Sequence, residues 1–250
     1  IYRESDDCIE FRHVSFAYEQ KNVLNDLNFT IKRGQTIGII GGTGAGKTSL
    51  VNLIGRFYDV SSGEILINGE AIKNYDLHAL RSFIGFVPQY AALISGTIRE
   101  NLQLGNQTAN DQQLLKALEI AQGKEMLEDK AAGLDTVIEQ GGKNLSGGQK
   151  QRLTIARALV KQPEILILDD SSSALDYATD FKLRQALKQL NMTKIIISQR
   201  TASIEQADKI MVLYHGDLVG FDSHEQLMKD CKIYQEIYAS QHSKDGDDHE

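Results

Sequence analysis

The chain has 250 residues, of which 41% are apolar and 24% are charged, and its formal net charge is −7. These values are typical of a soluble globular protein with one large domain, or with a core and an inserted subdomain. The negative charge and the absence from the sequence of a cluster of basic and aromatic residues argue against a nucleic-acid partner. The sequence contains no run of about 18 apolar residues, so it predicts no membrane span.

The two cysteines, Cys8 and Cys231, lie near opposite ends of the chain, without the close spacing of a metal site. We therefore expect both thiols to be reduced and to act as small apolar side chains in a reducing compartment. The chain begins with Ile1 and not with methionine, as expected of a piece of a longer protein.

The first part of the chain predicts several strands. Residues 8–17 and 25–31 alternate apolar and polar side chains, which is typical of half-buried strands, and we expect them to form an antiparallel sheet. Residues 61–69 predict a further short strand that ends in an Asn-Gly turn. Residues 36–40 are short, β-branched and apolar, which predicts a buried strand, and residues 49–54 predict the start of a helix.

Between this buried strand and helix, the stretch from Gly41 to Thr48 matches the pattern G-x-x-x-x-G-K-[ST]. Such a loop turns its backbone N–H groups around a polyphosphate, and the helix N-terminus adds partial positive charge. Lys47 would reach the β- and γ-phosphates, and the Thr48 hydroxyl would ligate Mg²⁺. The alternative is a glycine-rich turn without a ligand. The residues expected to bind nucleotide here are Gly41, Gly42, Thr43, Gly44, Ala45, Gly46, Lys47, Thr48 and Ser49.

The rest of the chain alternates predicted strands and helices. We predict strands over 83–87, 164–168 and 194–197, and a hairpin from 208 to 221. We predict helices over 76–81, most of 97–160, 177–190, and onward from a cap at Ser223. A phosphate loop within this alternation predicts an α/β fold with a largely parallel sheet.

Two features mark helix starts and the end of the fold. The pairs Asn110 with Gln113 and Ser146 with Gln149 have the spacing of N-terminal capping boxes. The tail from Ser240 onward is polar and charged, and we expect it to be disordered.

Four further motifs follow the phosphate loop in a fixed order. Gln89 follows a predicted strand, the sequence Leu-Ser-Gly-Gly-Gln starts at Leu145, Asp169 closes an apolar strand, and Ser-Ala-Leu-Asp starts at Ser173. With this order of motifs, the chain resembles the nucleotide-binding domain of an ATP-binding-cassette (ABC) transporter over nearly its whole length. The resemblance implies a P-loop NTPase (RecA-like) α/β core with a mainly parallel sheet, an antiparallel β subdomain and an inserted helical subdomain.

The resemblance also implies the domain boundaries. We expect one nucleotide-binding domain over 1–240 and a disordered tail over 241–250. The core and β subdomain would occupy about 1–88 and 161–240, and the helical subdomain about 89–160.

Within this family, three side chains have implied roles around the nucleotide. Tyr18 resembles the aromatic residue that stacks on adenine, and Gln89 resembles the glutamine that contacts Mg²⁺ or the attacking water. Asp169 resembles the Walker B carboxylate that orients Mg²⁺. ATP and Mg²⁺ are thus the implied ligands. The residues expected to contact the metal are Thr48, Gln89 and Asp169. The alternatives are that Tyr18 is simply a tyrosine at a strand end and that Gln89 is simply a glutamine in a loop.

The five-residue signature opens a predicted helix, whose N-terminus favours anions. In the family, this motif contacts ATP held by a second nucleotide-binding domain in a head-to-tail dimer, and the D-loop crosses that interface. The alternative is a simple capped helix start. The signature residues are Leu145, Ser146, Gly147, Gly148 and Gln149. The D-loop residues are Ser173, Ala174, Leu175 and Asp176.

Two segments, 93–101 and 138–142, resemble the exporter branch of the family. This implies a membrane domain of the same transporter as a partner, and a location at the cytoplasmic face of the cell membrane for a fragment that is itself soluble. The transported substrate is chosen by the membrane domain, so these residues do not define it.

Two residues depart from the family pattern, and with Gln89 they are the expected catalytic residues. The general base is normally glutamate, and here it is Asp170, whose carboxylate falls about 1.5 Å short, one carbon–carbon bond. The switch residue is normally histidine, and here it is Gln199, whose amide can donate a hydrogen bond but cannot become a cation. Together they predict a site that binds Mg-ATP and hydrolyses it slowly.

The sequence therefore favours one half of a heterodimeric exporter. Its own Walker site would be degenerate, and its signature would serve the active site of a different subunit. One alternative is a homodimer that uses Asp170 as a weaker base, and another is an allosteric module that binds ATP without hydrolysis. A soluble ABC ATPase of DNA repair lacks support because the chain has no long coiled coil, and a P-loop kinase would leave the signature unexplained.

Overall fold

A computed structural model describes residues 6–128, 131–171 and 173–242 of the chain. Within these ranges the strands are β1 Asp7–Tyr18, β2 Lys21–Lys32, β3 Thr36–Ile40, β4 Ser62–Ile67, β5 Glu70–Ala71, β6 Ile84–Val87, β7 Gly96–Thr97, β8 Val137–Ile138, β9 Ile165–Asp169, β10 Thr193–Ile197, β11 Lys209–Tyr214 and β12 Asp217–Asp222. The helices are α1 Lys47–Ile54, α2 Leu77–Ser82, α3 Ile98–Gln103, α4 Asp111–Ile120, α5 Glu125–Glu128, α6 Gly147–Val160, α7 Tyr177–Lys188, α8 His224–Asp230 and α9 Lys232–His242. Across the described ranges, every helix is too short or too polar to cross a membrane.

The chain forms two compact units. The phosphate-loop unit contains the residues up to Arg81 and those from Thr193 onward, and the signature unit contains Ser82–Met192. The division expected from the sequence assigns 82–88 and 161–192 to the core instead. They cluster with the helical residues because β6 and β9 pair with each other and α6 packs on β6.

The phosphate-loop unit contains the antiparallel sheet that the sequence predicts, in the order β2-β1-β4-β5. The rings of Phe11 and Phe29 face each other across β1 and β2, with centroids 4.4 Å apart. Asn68 and Gly69 have φ angles of 53° and 76° between β4 and β5. Two left-handed residues are what a tight Asn-Gly hairpin turn requires, so that prediction is confirmed.

The parallel strands of this unit run in the order β11-β3-β10, with β12 antiparallel on the outer side of β11. The predicted hairpin over 208–221 is thereby confirmed. Because parallel strands end at the same edge of a sheet, the loops after β3 and β10 begin side by side. The amide of Ser198, directly after β10, donates to the Ile39 carbonyl of β3 at 3.2 Å.

Helices α8 and α9 cover one face of these strands. Tyr234 is fully buried there against Ile210, Val212 and Leu227. Ser223 caps α8 by accepting a hydrogen bond from the Gln226 amide, as the sequence predicts. Both cysteines are buried, as expected of small apolar side chains.

The expectation of disorder from Ser240 onward needs a correction. Helix α9 continues to His242, so Gln241 and His242 are helical although the sequence assigns them to a disordered tail. Gln241 makes hydrogen bonds to Thr201 and Gln199, which the polar composition of this segment does not predict. The remainder of the expected tail, 243–250, lies outside the described residues.

In the signature unit, β6 pairs in parallel with β9, and α3 and α4 pack against α6. The capping boxes at Asn110 and Ser146 are both formed, as predicted. The block 97–160 is not purely helical, because β7 and β8 form a two-stranded ribbon within it. Strands of two residues have no visible periodicity in a sequence, which is why the pattern did not predict them.

Candidate functional site

The phosphate loop lies between the carboxyl end of β3 and the start of α1. Gly44 and Gly46 have φ angles of 78° and 100°, a left-handed conformation that glycine adopts without strain. A Cβ on Gly46 would lie 2.6 Å from Leu24 Cδ2, and one on Gly41 would clash with the Leu213 carbonyl oxygen. Close packing against β2 and β11 therefore requires glycine at both ends of the loop.

Lys47 folds back over the loop that precedes it. Its Nζ donates to the carbonyl oxygens of Gly41 at 2.7 Å and of Gly42 at 2.9 Å. A Cβ added to Gly42 or Gly44 meets no described atom within 4 Å, so this side of the loop is open. An ammonium group beside an open, glycine-rich helix start fits a polyphosphate.

Helix α1 begins at this loop without a side-chain cap from any described residue, and its N-cap is Gly46. The first N–H groups of a helix have no partners within the helix. Side chains of the described residues do not cap these donors, which lie directly beside the phosphate loop.

A cleft of about 500 Å³ opens beside the loop. Tyr18 lies in this cleft, and its hydroxyl is 3.3 Å from Ser49 Oγ. Edge-to-face contacts with Phe16 and Tyr58, at 4.7 and 5.1 Å between centroids, hold the ring. The structure thus brings the predicted adenine-stacking residue to the phosphate loop. The predicted loop residues that line the cleft are Gly44, Ala45, Gly46, Lys47, Thr48 and Ser49.

Four further residues line the same cleft that sequence reasoning did not identify. Lys21, Asn22 and Val23 follow the turn from β1 to β2, and His215 lies in the turn between β11 and β12. Asn25 holds the second turn against β2, because its Nδ2 donates to the Asp217 carboxylate at 3.0 Å. The one sequence signal for these residues is that they lie in a turn or directly after one, and such positions are too common to single them out.

Gln199 follows β10 and is exposed. Its carbonyl oxygen accepts a hydrogen bond from Gln241 Nε2 at 2.8 Å. Gln199 follows the end of β10, and the phosphate loop follows the end of β3. Because these two paired strands are parallel, both loops begin at the same edge of the sheet. This position agrees with the expectation that Gln199 is the switch residue.

In the signature unit, Asp169 ends β9 and is buried, with 4% of its surface exposed. Asp170 follows it with 8% exposed and with φ at 46°. Gln89 Nε2 donates to Asp170 Oδ2 at 3.4 Å, a long hydrogen bond. The structure therefore brings together two of the predicted catalytic side chains.

The backbone of Asp170 is held by the turn that follows. Ser173 donates to the Asp170 carbonyl oxygen through its amide at 3.3 Å and through its hydroxyl at 2.9 Å. Aspartate tolerates the left-handed conformation better than most residues. These bonds therefore hold the backbone from which a short carboxylate extends.

The signature and the D-loop are neighbours. Ser146 Oγ accepts from the Gln149 amide at 3.2 Å, and Gln149 Oε1 accepts from the Ser146 amide at 2.9 Å. A Cβ on Gly148 would lie 3.3 Å from the Ala174 carbonyl oxygen, so this glycine allows the D-loop to pass closely. Leu145 and Leu175 are buried, and a Cβ added to Gly147 would meet no described atom within 4 Å.

Asp176 caps helix α7. Its carboxylate accepts from the Thr179 amide at 2.9 Å and from the Thr179 hydroxyl at 2.8 Å. The backbone hydrogen bond from Thr179, with the hydroxyl next, lowers the pKa of Asp176 below its usual value. This carboxylate is therefore used within its own helix start.

Two side-chain amides, one buried and one exposed, organise the loops of this unit, and the sequence did not identify them. The fully buried Asn101 accepts from the Ile94 amide at 3.0 Å and donates to the carbonyl oxygens of Ile94 and Thr97, both at 3.0 Å. Asn144 accepts from the Glu139 amide at 3.0 Å and donates to the Val137 carbonyl oxygen at 2.9 Å. These bonds shape the two segments that resemble the exporter branch.

The predicted metal donors have suitable chemistry. The hydroxyl of Thr48, the carboxylate of Asp169 and the amide oxygen of Gln89 are all oxygen donors, which Mg²⁺ prefers. Thr48 is the second residue of α1 in the phosphate-loop unit, and the other two residues belong to the signature unit. Taken one at a time, these side chains offer donors that suit Mg²⁺.

Comparisons with known proteins agree with this geometry. The family model described as ABC transporter matches residues 24–173. The ATP-dependent lipid A-core flippase of Syntrophus aciditrophicus is 40% identical over 239 residues, which is 95% of this chain and 40% of that protein. ABC transporter B family member 6 of Dictyostelium discoideum is 42% identical over 244 residues, which is 93% of this chain and 36% of that protein.

A solved structure of similar fold is a bacterial Atm1-family ABC exporter with ATP bound. It superposes with a TM-score of 0.91 at 34% identity, over 95% of this chain and 42% of that one. The chain therefore spans less than half the length of these relatives.

Proposed function

Because the chain belongs to the ABC transporter family, as a nucleotide-binding domain of the exporter type, we propose that it binds Mg-ATP at its phosphate loop and powers an exporter. The fold class predicted from the sequence is confirmed, with its ABC ATPase P-loop fold, a parallel sheet, an antiparallel sheet and helices. We propose further that the ATP site on this chain's own Walker motifs is degenerate, so that it retains ATP and hydrolyses it slowly.

The observation that carries the proposal is the contrast between a complete binding loop and two altered chemical positions. The loop from Gly41 to Thr48 has its ammonium group, its open glycines and a helix start that no described side chain caps. Its cleft also contains Tyr18, whose ring is suited to stack on adenine. These features support tight binding of ATP.

Mg²⁺, when bound, would neutralise phosphate charge and polarise the phosphoryl oxygens. We propose that Thr48 and Asp169 hold it, with Gln89 as a further oxygen donor. Asp169 is buried at the end of β9. Burial of a charged carboxylate costs free energy, and a bound cation would offset that cost.

Slow hydrolysis follows from the chemistry of the two altered side chains. Asp170 is shorter than glutamate by about 1.5 Å, one carbon–carbon bond, and the turn after it fixes its backbone, so its carboxylate cannot recover that reach. General-base catalysis typically contributes about 10²–10⁴-fold and depends first on reach. Gln199 can donate a hydrogen bond to the γ-phosphate but cannot carry a positive charge.

The signature supports a second nucleotide-binding domain as partner. Ser146, Gly147 and Gly148 open helix α6, where the helix dipole favours an anion such as the terminal phosphate of ATP. We propose that this partner is a different subunit, whose own Walker site would carry out most of the hydrolysis.

Exposed apolar side chains support a membrane domain as the other partner. In the signature unit, Tyr90 is 81% exposed directly after Gln89, and Val137 is 64% exposed in β8. Large exposed apolar side chains are typical of interaction surfaces. This arrangement would place the chain at the cytoplasmic face of a membrane, as part of a transporter.

One observation favours a second candidate, a homodimeric exporter ATPase in which Asp170 acts as a weaker base. The hydrogen bond from Gln89 orients the Asp170 carboxylate, which a purely allosteric ATP-binding module would not need.

The test is to repair both positions in the assembled exporter, with Asp170→Glu and Gln199→His. We expect single-turnover hydrolysis at this site to rise about 100-fold, as a general base in reach provides, while ATP affinity stays within about twofold. The matched control is Asp59→Glu with Gln112→His, at exposed positions of α-helical and loop segments away from these motifs.

Unchanged hydrolysis in the repaired exporter would refute the degenerate-site proposal. Brisk turnover by symmetric dimers of the unaltered chain would instead establish the homodimeric alternative.

A further inference from the structure

The loop that carries Gln199 is tied to the last turn of the C-terminal helix by one side chain. Gln241 Oε1 accepts from the Thr201 amide at 2.8 Å and from the Thr201 hydroxyl at 3.1 Å. Gln241 Nε2 donates to the Gln199 carbonyl oxygen at 2.8 Å. One amide thus makes three hydrogen bonds that bridge the two residues on either side of Arg200.

These bonds satisfy buried groups. Thr201 has no exposed surface, so its amide and hydroxyl cannot turn to water without an opening of the loop. A buried donor that loses its acceptor costs more than the net value of an ordinary hydrogen bond. Gln241 is therefore required for this conformation of the loop.

The end of α9 is a rigid support for this contact. Tyr234, about two helical turns before Gln241, is fully buried, and its hydroxyl is 2.8 Å from His224 Nδ1. Ile237 packs on the same buried cluster. The Tyr238 ring stacks on His242 with centroids 3.9 Å apart, directly beside Gln241 in the chain.

We propose that Gln241 is a positioning residue that fixes the backbone of Gln199 and so directs the Gln199 side chain toward the terminal phosphate of bound ATP. This rests on the proposed function, in which Gln199 donates to the γ-phosphate. The helix from Lys232 to His242 thereby helps to position a residue that contacts ATP, although the helix lies outside every motif of the phosphate site.

The backbone contact predicts a change that does not depend on nucleotide. In the full 250-residue chain, Gln241→Ala should speed hydrogen exchange of the Thr201 amide about tenfold, the effect of one lost hydrogen bond. The matched control is Gln235→Ala on the same helix. Gln235 Nε2 donates to the carbonyl oxygens of Met228 and Lys229, so this variant should leave the exchange of Thr201 unchanged.

The functional link predicts a change in selectivity between ATP and ADP, because only ATP carries a γ-phosphate. Gln199→Ala should lower the ratio of ATP to ADP affinity about tenfold, and Gln241→Ala about fivefold. The double variant should lose no more than Gln199→Ala alone, since both act through one contact. A loss of general stability would weaken both nucleotides equally and leave the ratio unchanged.

The variant Gln241→Glu separates the two halves of the contact. Its carboxylate still accepts from Thr201 but cannot donate to the Gln199 carbonyl oxygen. We expect it to restore the slow exchange of Thr201 while the ratio of ATP to ADP affinity stays low. A fully restored ratio in this variant would overturn the proposed link to Gln199.

Unchanged exchange of Thr201 in Gln241→Ala, or additive effects of Gln241→Ala and Gln199→Ala on the ratio, would also overturn the proposal. An unaltered chain without ATP affinity would refute the proposed function and this inference together. Normal ATP affinity with an unchanged ratio in Gln241→Ala would refute this inference alone.

Discussion

The loops after β3 and β9 share one plan and differ in how their helices begin. Each loop leads from the carboxyl end of a buried parallel strand into a helix, α1 or α7. The N-cap of α1 is Gly46, with no side-chain cap from a described residue. The N-cap of α7 is Asp176, whose carboxylate accepts from the Thr179 amide.

The difference shows that one of two similar helix starts is capped by a negative side chain, whereas no described side chain caps the other. In α7, the carboxylate of Asp176 accepts from an N–H group of the helix start and adds negative charge. In α1, the nearest charged side chain of the loop is Lys47, which adds positive charge. Composition and capping thus separate the glycine-rich loop that carries Lys47 from the acidic loop that carries Asp170 and Asp176.

Removal of the cation of the first loop should have the largest effect. We expect Lys47→Ala to weaken ATP binding about 100-fold, because charge-assisted contacts to the phosphates are lost. Isothermal titration with Mg-ATP measures this change, and Lys32→Ala, at an exposed strand end, is the control. Equal affinity in Lys47→Ala and the unaltered chain would remove the distinction between the two loops.

Substitution of glycines in the phosphate loop should show, through the free energy of unfolding, how closely this loop packs. Gly41→Ala should lower the free energy of unfolding by about 2 kcal/mol, because its Cβ clashes with the Leu213 carbonyl oxygen. Gly42→Ala is the matched control, since its Cβ meets no described atom within 4 Å. Urea denaturation of both variants gives the difference, and equal losses would contradict the close packing of Gly41.

The smallest expected effect concerns Asp176, which caps helix α7 at the end of the second loop. Because the pKa of Asp176 is lowered in the folded chain, its charge contributes stability above the unfolded pKa of about 4. That contribution is lost as the pH falls through the lower, folded pKa. We compare the unaltered chain with Asp176→Asn, which can still cap but does not titrate.

The unaltered chain should therefore melt at a higher temperature than Asp176→Asn at pH 6, and this difference should narrow below about pH 4. Thermal denaturation followed by circular dichroism at several pH values measures it. A difference that stays constant down to pH 2 would show that the charge of Asp176 does not stabilise α7.

Several features could be predicted from short stretches of sequence. The spacing of Gly41, Gly46 and Lys47 indicates the phosphate loop, and the structure adds the packing reason for two of its glycines. The pairs at Asn110 and Ser146 indicate capping boxes, which form as predicted. All of these depend on residues within a turn or two of each other, so local spacing suffices.

Other features could not be predicted in this way. The exposed side chains of Lys21 and His215 share a cleft although 194 positions separate them in the chain. The hydrogen bond from Gln89 to Asp170 joins residues 81 positions apart. No local pattern marks such pairs, because β-strand pairing and helix packing decide which turns meet.

The sequence by itself determined the chemistry of this protein: the order of its motifs, the family that they indicate, and the identities of Asp170 and Gln199. Only the tertiary structure decided where those side chains are held. Gln241, in a segment whose polar composition predicts disorder, becomes an ordered support for Gln199 because α9 packs its apolar face on the core. The burial of that face stabilises the helix and carries a polar residue to a partner 42 positions away.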